Sequence, residues 1–434
     1  QGMRFTRNYS GNAVCAPSRC VLMTGKHPGH AFVRNNGEIK PEGQRPIPKD
    51  EITIAELLRN QGYSTGAFGK WGLGFPSSEG DPIHQGFDRF YGYNCQRHAH
   101  SYYPNYLWSN LKRVALDNEP PVPGHASLPN GADPSDPRSY DIFKGKDYAP
   151  DRINEQALKF INDHKDKPFF LYYPTVIPHV ALHVPDEELK PYLDQKWNDP
   201  PFVRANGYGY TPHFTPRAAY AAMISRMDRY IGRVIDLIDK LGLAQNTIIV
   251  FTSDNGTTHL RAEVDYNFFE SVKPLRGLKG SLYEGGIRVP LIVRWPGRVP
   301  AGTTTNYVTG LEDWIPTLLD LIGEKKSIPA GLDGLSIANI LYGKNQSPRK
   351  FLYREFSGYG GQQAVWSGKW KAIRQNILRK KNKQPLKIQL YDLNTDISES
   401  NDVAAENLKV VNRLRKLMAR EHTPSEFYPI KPLD

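Results

Sequence analysis

Short apolar runs alternate with segments of helical periodicity along most of the chain, a pattern typical of an α/β fold. Residues 53–59 (Thr-Ile-Ala-Glu-Leu-Leu-Arg) have apolar positions at helical spacing, and the predicted helix ends at Gly62. The run 63–68 then has the length of a strand. Another apolar run of strand length, 169–173, follows Lys167 and Pro168.

The clearest helix and strand lie in the middle of the chain. Apolar residues at helical spacing span 218–241, and the predicted helix stops before Gly242. The continuous apolar run 247–251 follows, as expected for a strand buried on both faces of a parallel sheet. Residues 80–150, by contrast, are rich in Pro, Gly, Asn and aromatics without a clear period. We expect them to form long surface loops that shape a pocket.

The last fifth of the chain has a different pattern. The composition changes at 343–349, which predicts a linker between a large domain (1–345) and a small one (346–434). Alternating segments and a helix predict a small antiparallel sheet with a packed helix. The strands are expected at 351–356, 363–367, 370–374 and 388–393, and the helix at about 404–421. The basic run 379–383 is interpreted as a solvated hairpin tip.

Composition limits the class of protein. The 434 residues are 39% hydrophobic, enough for a sizeable core, and an excess of Lys and Arg gives a net charge of +11. That charge favours an acidic ligand, whether nucleic acid, anionic lipid, or a sulfated or phosphorylated small molecule. Three cysteines exclude a disulfide scaffold. No apolar run reaches the about 18 residues of a membrane span, and no signal peptide is recognisable at the start.

The segment 15–25 (Cys-Ala-Pro-Ser-Arg-Cys-Val-Leu-Met-Thr-Gly) carries the most information. Its first residue, Cys15, lies beside a Pro-Ser turn and is followed by Arg19, as in a thiolate nucleophile at a helix N-terminus. No histidine lies nearby in sequence, so a buried cysteine in a turn is the simpler interpretation. Residue chemistry alone leaves both interpretations open.

Two further polar segments directly follow predicted strands. Residues 252–256 (Thr-Ser-Asp-Asn-Gly) could be an ordinary tight turn. They also lie at the carboxyl end of a strand, where α/β sheets place ligands, and Asp254 and Asn255 offer hard oxygens suited to Ca²⁺ or Mg²⁺. The segment 69–74 (Gly-Lys-Trp-Gly-Leu-Gly) is not a phosphate-binding P-loop, because no Ser or Thr follows Lys70.

Histidines form two groups. His179 and His183 follow the predicted strand 169–173; two histidines four apart can share zinc on a helix, but the neighbouring prolines favour a loop in which each simply hydrogen-bonds. His98 and His100 lie in the aromatic-rich run 97–108. That run could be an aromatic cluster that closes the surface, or a wall whose rings stack on sugar faces.

The segment 15–25 resembles the signature of the formylglycine-dependent sulfatases of the alkaline phosphatase superfamily. Cys-x-Pro-Ser-Arg is followed by Leu22, Thr24 and Gly25 at the family's spacing. Segments 69–74, 252–256 and 275–290 are also similar to sulfatase segments, and the resemblance covers essentially the whole chain. It implies a central, mostly parallel sheet flanked by helices, with a small C-terminal antiparallel sheet and its helix.

The resemblance also implies roles for individual residues. Cys15 would be oxidised to formylglycine by a maturation enzyme, and its aldehyde hydrate would attack sulfur. The other catalytic residues would be Arg19, Lys70 and Lys279, which hold the hydrate and the sulfate, and His179, the general acid. Asp254 and Asn255, with residue 15, would bind Ca²⁺, or alternatively Mg²⁺. His98, His100 and His183 are candidate substrate-binding residues.

Two departures from the family pattern stand out. Gly72 occupies a position where relatives carry a histidine, so another group must assist the leaving alcohol or the hydrating water. The candidates are His179, which is preferred, and His183, and His98 or His100 could also do so. The family also begins with an apolar strand that ends in Asp-Asp and supplies two metal ligands, whereas only fourteen residues precede Cys15. We therefore expect a fragment with an incomplete metal site and a slot lined with unpaired backbone groups.

The leading hypothesis is a periplasmic or secreted hydrolase of a sulfate ester, most plausibly on a sulfated carbohydrate, without a nucleic-acid partner. One alternative is a phosphodiesterase or phosphonate monoester hydrolase, because phosphate and sulfate esters share tetrahedral geometry. Another is an inactive glycan-binding homologue. Five retained residues argue against an inactive homologue: Lys70, His179, Asp254, Asn255 and Lys279.

Overall fold

The computed structural model describes residues 1–204 and 209–434. Its α-helices are α1 (Cys15–Thr24), α2 (Ile54–Asn60), α3 (Ala149–Asp163), α4 (Lys190–Leu193), α5 (Pro216–Lys240), α6 (Glu284–Ile287), α7 (Trp314–Leu321), α8 (Ala338–Leu341) and α9 (Leu408–Arg420). Its strands are β1 (Met3–Phe5), β2 (Asn8–Tyr9), β3 (Ser64–Lys70), β4 (Arg89–Tyr93), β5 (Tyr106–Ser109), β6 (Lys112–Ala115), β7 (Phe169–Tyr172), β8 (Ile249–Thr252), β9 (Leu291–Arg294), β10 (Thr304–Thr305), β11 (Thr309–Gly310), β12 (Leu352–Phe356), β13 (Gln362–Ser367), β14 (Trp370–Gln375) and β15 (Gln389–Asp392).

Mixed sheets form the larger part of the molecule. A five-stranded sheet has the order β6-β5-β4-β3-β7, with β3 parallel to both β4 and β7. A four-stranded sheet has the order β10-β1-β9-β8, in which β9 runs antiparallel to β1 and to β8. β2 and β11 form a short parallel pair. The predicted α/β architecture is confirmed.

The strand β8 differs from its sequence prediction. The run 247–251 was expected to be buried on both faces within a parallel sheet, but β8 is half-buried and pairs with β9 in the antiparallel direction. Within residues 1–204 and 209–434, no strand pairs with the other edge of β8 or with the outer edge of β7. Both strands instead line one cavity of about 1400 Å³.

The segment 80–150 divides into two parts. Residues 111–147 are mostly exposed and irregular apart from β6, as expected for surface loops, whereas 80–110 are largely buried and contribute β4 and β5 to the five-stranded sheet. Aromatic side chains of this first part, among them Tyr93 and Tyr102, are buried against the long helices α3 and α5. Aromatic rings bury large areas without the regular aliphatic spacing that identifies strands, so the sequence pattern suggested loops.

Local signals explain the first two helices. Thr53 and Glu56 form a reciprocal capping box at the start of α2, which satisfies two backbone N–H groups that would otherwise lack partners. α1 ends at Gly25, whose φ of 68° is the left-handed conformation that favours glycine. α1 is buried along almost its whole length, so it can present a side chain at its first position to the interior.

The C-terminal sheet is confirmed, with β12 to β15 in sequential antiparallel order and α9 packed against β13. Its junction with the larger part is polar and buried rather than a loose linker. Lys371 Nζ lies 3.0 Å from Glu284 Oε1 and 2.6 Å from Glu399 Oε1, and all three side chains are buried. Arg349, inside the predicted linker, is buried against Asp313. Removing one partner of such a buried pair lowers the stability of the fold, because the other charge is left buried and unpaired.

Histidines fasten the end of α9 to the loop after α1. His27 Nε2 lies 3.1 Å from Glu421 Oε2, and His30 Nδ1 lies 3.0 Å from Asp333. Because Gly29 N–H donates to His27 Nδ1 at 3.1 Å, His27 carries its proton on Nε2 and donates to Glu421. These four side chains are close enough to suggest a metal site, but this tautomer makes His27 Nε2 a donor. The group is therefore satisfied as a hydrogen-bonded junction.

A neighbouring histidine should make stability depend on pH. Burial opposes protonation of His422, but hydrogen bonds to Glu355 at 2.7 Å and Asp434 at 3.0 Å raise its pKa above the ordinary value of 6.5. A raised folded pKa means that this contribution is complete below pH about 6.5 and is lost as pH rises through the folded pKa. Urea unfolding should therefore show a smaller loss of stability between pH about 6 and about 9 in His422→Gln than in wild type. Asp434→Asn should give an intermediate result, and an unchanged pH dependence in His422→Gln would contradict the assignment.

Candidate active site

Cys15, the first residue of α1, lies buried in the wall of the large cavity. Its Sγ is 3.5 Å from Lys279 Nζ and 3.8 Å from Lys70 Nζ. The thiol also points to Asn255 Oδ1 at 3.7 Å. Three residues that are distant in sequence from α1 thus converge on one sulfur atom.

Strand ends and backbone contacts bring these residues together. Lys70 is the last residue of β3, and Asn255 follows the end of β8. The Lys279 backbone N–H donates to Thr257 O at 2.7 Å, which fastens its loop to the segment after β8. Gly256 permits this arrangement, because a Cβ there would lie 2.1 Å from Gly285 O. The carboxyl end of β8 therefore organises the site, as the sequence predicts.

Arg19 connects α1 to the same strand end. Its Nε and Nη2 donate to Asp254 Oδ2 at 3.0 and 2.8 Å, and its Nη1 donates to the backbone carbonyl of Lys70. The guanidinium is buried. Asp254 and the Lys70 carbonyl satisfy it on two sides, and this contact fixes α1 relative to β3 and β8.

The site carries an excess of positive charge. Burial raises the pKa of Cys15, but Lys279 and Lys70 outweigh it and the net pKa is lowered. Burial, with help from Arg19 and Lys279, lowers the pKa of Lys70 to about 8. Burial opposes ionisation of Asp254, yet Arg19 and the two lysines hold its pKa below the usual value. Three cationic groups facing one carboxylate make a site suited to an anion.

Two histidines form one wall of the cavity. The rings of His100 and His179 stack in parallel, with centroids 4.9 Å apart and planes 7° apart, and Tyr210 packs edge-on against both. His179 Nδ1 donates to Val180 O at 2.5 Å, which leaves the lone pair on Nε2. Burial and the charges of Lys70 and Lys279 lower the pKa of both imidazoles well below 6.5. Both rings are therefore neutral near pH 7.

Two of the predicted substrate-binding residues do not reach this site. His98 packs between Tyr93 and Tyr106, and its Nδ1 lies 3.4 Å from Glu42 Oε1, outside the described cavity wall. His183 is buried and accepts from the Tyr102 backbone N–H at 3.4 Å; burial lowers its pKa to about 3. His98 and His100 lie on a single 3-10 turn, where residues two apart face different directions, and 179–183 is an irregular loop, so only one histidine of each pair lines the cavity. Of the two pairs, His100 and His179 remain candidates.

The structure shows what fills the space beside Gly72. A Cβ at Gly72 would lie 2.7 Å from Gln96 Cγ and 2.8 Å from Gln96 Nε2, and the φ of 85° disfavours any side chain there. The buried Gln96 lines the same cavity as Cys15, and its Nε2 donates to Asn36 Oδ1 at 3.4 Å. An amide thus occupies the place of the missing side chain. An amide does not transfer protons at neutral pH, so it cannot serve as the acid.

Sequence reasoning missed Gln96, Asn36, Tyr210 and His125, the last of which contacts His100. None of these residues belongs to a recognisable motif. Asn36 Oδ1 accepts from the Ala16 N–H at 2.9 Å, at the start of α1. Only chain folding brings Asn36, Gln96 and Tyr210 to the cavity and His125 against His100 behind its wall, and no spacing in the sequence marks them.

Oxygen donors in the site fit a divalent cation by type. Asp254 is ionised and Asn255 presents an amide oxygen toward Cys15, and hard oxygens are what Ca²⁺ and Mg²⁺ prefer. They supply two of the roughly six to eight oxygens that Ca²⁺ takes. One oxygen of Asp254 is also engaged by Arg19. The two residues are therefore part of a candidate cation site.

Comparison with known proteins agrees with the family that the sequence motifs resemble. The family model described as Sulfatase matches residues 1–324, and that described as N-sulphoglucosamine sulphohydrolase, C-terminal, matches residues 277–423. Arylsulfatase A of Bos taurus is 29% identical over 470 residues, covering 99% of this chain and 83% of the relative. The N-acetylgalactosamine-6-O-sulfatase of Bacteroides thetaiotaomicron is 28% identical, covering 96% and 86%.

A solved structure is also similar. The crystal structure of Ps i-CgsB in complex with k-i-k-neocarrahexaose superimposes with a TM-score of 0.70 at 26% identity, covering 97% of this chain and 84% of the other. The described part of the chain contains no helix with the length and hydrophobicity to span a bilayer.

Proposed function

The chain belongs to the sulfatase family and is a sulfuric ester hydrolase, and from this premise we propose that it acts on a sulfated carbohydrate with residue 15 as the source of the nucleophile. The observation that carries the proposal is the position of Cys15 in a cavity wall between Lys70 and Lys279, whose Nζ atoms lie 3.8 and 3.5 Å from its sulfur. A sulfate ester is an anion, and charge accumulates on its oxygens during transfer. Fixed cations at this point would stabilise that charge.

Each charged residue would have a separate role. Lys70 and Lys279 would hold sulfate oxygens on either side of residue 15. Arg19, paired with Asp254, would fix the start of α1 so that the reactive atom keeps its direction. Family membership implies a metal and a formylglycine. We assign the formylglycine to Cys15, converted by a maturation enzyme; its hydrate supplies the oxygen nucleophile.

Asp254, Asn255 and residue 15 would contribute to a Ca²⁺ site, with Mg²⁺ as the alternative. The cation would supply Lewis-acid polarisation of the sulfuryl oxygens. Asp254 and Asn255 lie at the carboxyl end of β8, on the same side of the cavity as Cys15.

His179 is the proposed general acid for the departing sugar oxygen. Its Nδ1 is occupied by Val180 O, so any proton that it exchanges with the substrate must pass through Nε2. The neutral ring would gain that proton when the bound anion compensates the charges of Lys70 and Lys279, which lower its pKa in the free site. His100, stacked on it, would contact the substrate.

Several observations favour a carbohydrate over a small aryl ester. The Bacteroides relative is named as a sulfatase of an amino sugar, and the similar solved structure contains an oligosaccharide. The cavity has aromatic and histidine rings in its wall and room for a sugar. We also propose that residues 1–345 form the catalytic domain, that 346–434 form a smaller one, and that the enzyme acts in the periplasm or outside the cell. Cell fractionation with enzyme confined to the cytoplasm would refute the proposed location.

The first functional prediction concerns modification of Cys15. Coexpression with a formylglycine-generating enzyme should convert its thiol to an aldehyde, and peptide mass spectrometry should show a loss of about 18 mass units. Cys15→Ala should abolish turnover, because no nucleophile remains. Cys20→Ala is the matched control, since that thiol is buried in the same helix away from the lysines. Full activity with an unmodified Cys15 would refute the mechanism.

The second concerns the cation. Elemental analysis of the purified enzyme should find bound Ca²⁺, and a chelator should remove both the ion and the activity. Asp254→Ala should lower the metal content and cost several orders of magnitude in turnover, because it removes a ligand and the partner of Arg19. Full activity in excess chelator, with no metal retained, would exclude the cation.

The third separates proton donation from sulfate binding. A sugar alcohol is a poor leaving group and needs a proton in the transition state, whereas nitrophenolate hardly does. His179→Ala should therefore cost roughly 10²–10⁴-fold on a sulfated sugar and much less on nitrophenyl sulfate. Lys279→Ala should impair both substrates alike, because both share the sulfate group. Equal losses on both substrates in His179→Ala would make His179 a sulfate-binding residue and His100 the candidate acid.

A further inference from the structure

A chain of hydrogen bonds behind the cavity wall ends at His100. His125 Nδ1 lies 2.9 Å from Gly209 O, and His125 Nε2 lies 2.8 Å from His100 Nδ1. A backbone carbonyl only accepts hydrogen bonds, so His125 carries its proton on Nδ1. Its Nε2 is then an acceptor, and His100 must donate to it from Nδ1. The tautomers of both rings follow from one carbonyl group.

This chain determines what His100 offers to the cavity. With its proton on Nδ1, a neutral His100 has a lone pair on Nε2, the nitrogen on the far side of the ring from His125. Burial lowers the pKa of His100 well below 6.5, and Lys70, His125, Lys279 and Arg97 act in the same direction. His179, stacked on it, is neutral as well. His100 therefore lines the cavity as a neutral hydrogen-bond acceptor, whereas the charged groups of the site are mostly donors.

The segment that carries His125 is held firmly against His100. At Gly124 a Cβ would lie 2.5 Å from the carbonyl carbon and oxygen of His100, so only glycine permits this approach. The Thr211 N–H donates to Gly124 O at 3.1 Å, and Thr211 Oγ1 donates to Pro123 O. Tyr210 packs against both imidazoles, with centroids 4.3 Å from His125 and 5.0 Å from His100. These contacts fix the separation of the two rings.

We propose that His125 is a positioning residue that keeps His100 as an acceptor, and that His100 accepts a hydrogen bond from a hydroxyl or amide N–H of the sugar ring that carries the sulfate. The proposal rests on the proposed function and adds a determinant of specificity to it. Sulfated sugars carry such donors on the ring that bears the sulfate, whereas simple aryl sulfates do not. An acceptor left without a partner in a desolvated site disfavours the ester that lacks the donor.

Three variants of His125 test the proposal against two substrates. The substrates are nitrophenyl sulfate and the most rapidly cleaved member of a panel of sulfated monosaccharides that includes N-acetylgalactosamine 6-sulfate. His125→Phe removes the acceptor for His100 Nδ1–H and should raise KM for the sugar about tenfold, the usual effect of one neutral hydrogen bond, with little change for nitrophenyl sulfate. His125→Gln keeps an acceptor oxygen and should restore most of the sugar KM.

His125→Glu provides the sharpest readout. A carboxylate beside Nδ1 favours the imidazolium form of His100, which turns Nε2 into a donor. Sugar binding by this variant should then be weak at low pH and should recover as pH rises. Wild type should not show this rise in its pH profile. His84→Gln is the matched control, since that ring bonds Ser78 O outside the cavity wall, and it should change neither substrate.

Nitrogen NMR of the histidine rings separates failure of this proposal from failure of the proposed function, because it reports the His100 tautomer without catalysis. Wild type should show His100 protonated at Nδ1, and His125→Phe should lose that preference. Three results would overturn the proposal. They are a wild-type His100 that is not protonated at Nδ1, equal losses on both substrates, and no effect of any His125 variant that retains the wild-type melting temperature. Absence of hydrolysis of every sulfate ester would instead count against the proposed function.

Discussion

The concentration of positive charge around Cys15 is the constraint on which the rest of the site depends. Lys70 and Lys279 approach one sulfur atom in a buried setting, where like charges repel and lose hydration. Asp254 offsets part of this charge and ties Arg19 to the end of β8. The arrangement is stable only because α1, β3 and β8 are fixed by packing elsewhere. A tetrahedral anion would complete the balance of charge.

The C-terminal sheet contributes to this rigidity from outside the site. Glu284 at the start of α6 receives Lys371, Trp366 and Tyr9 in one buried network, so the sheet holds the segment that follows Lys279. The histidine junction at the end of α9 fixes the loop after α1 in the same way. The first contact lies just after Lys279 in the chain, and the second lies just after α1, which begins with Cys15. The small sheet is therefore a support of the site rather than an appendage.

The edges of β7 and β8 have a different consequence. Among residues 1–204 and 209–434 no strand pairs with the free edge of either, and both strands line the cavity. The cavity therefore extends between the two sheets as far as Cys15 and Asp254.

The sequence by itself determined the elements and motifs that depend on local chemistry. The helices after Thr53 and before Gly242, the antiparallel C-terminal strands, and the strand ends at Lys70 and Asp254 could all be predicted, because periodicity, caps and turn residues act over a few positions. The identity of the charged residues around Cys15 also followed from motif resemblance. These features are encoded in short segments.

The tertiary structure alone decided which of these side chains meet. It directed His100 and His179 into the cavity and turned His98 and His183 away, because a tight 3-10 turn and an irregular loop orient the two histidines of each pair differently. It brought Gln96 against Gly72 and His125 against His100, contacts between loops whose sequences carry no periodic signal. It also showed residues 80–110 of the aromatic segment to be internal, since rings from separate turns pack only after the sheet has formed. Contacts between distant segments depend on the packed arrangement of the whole chain, and a single sequence does not record them.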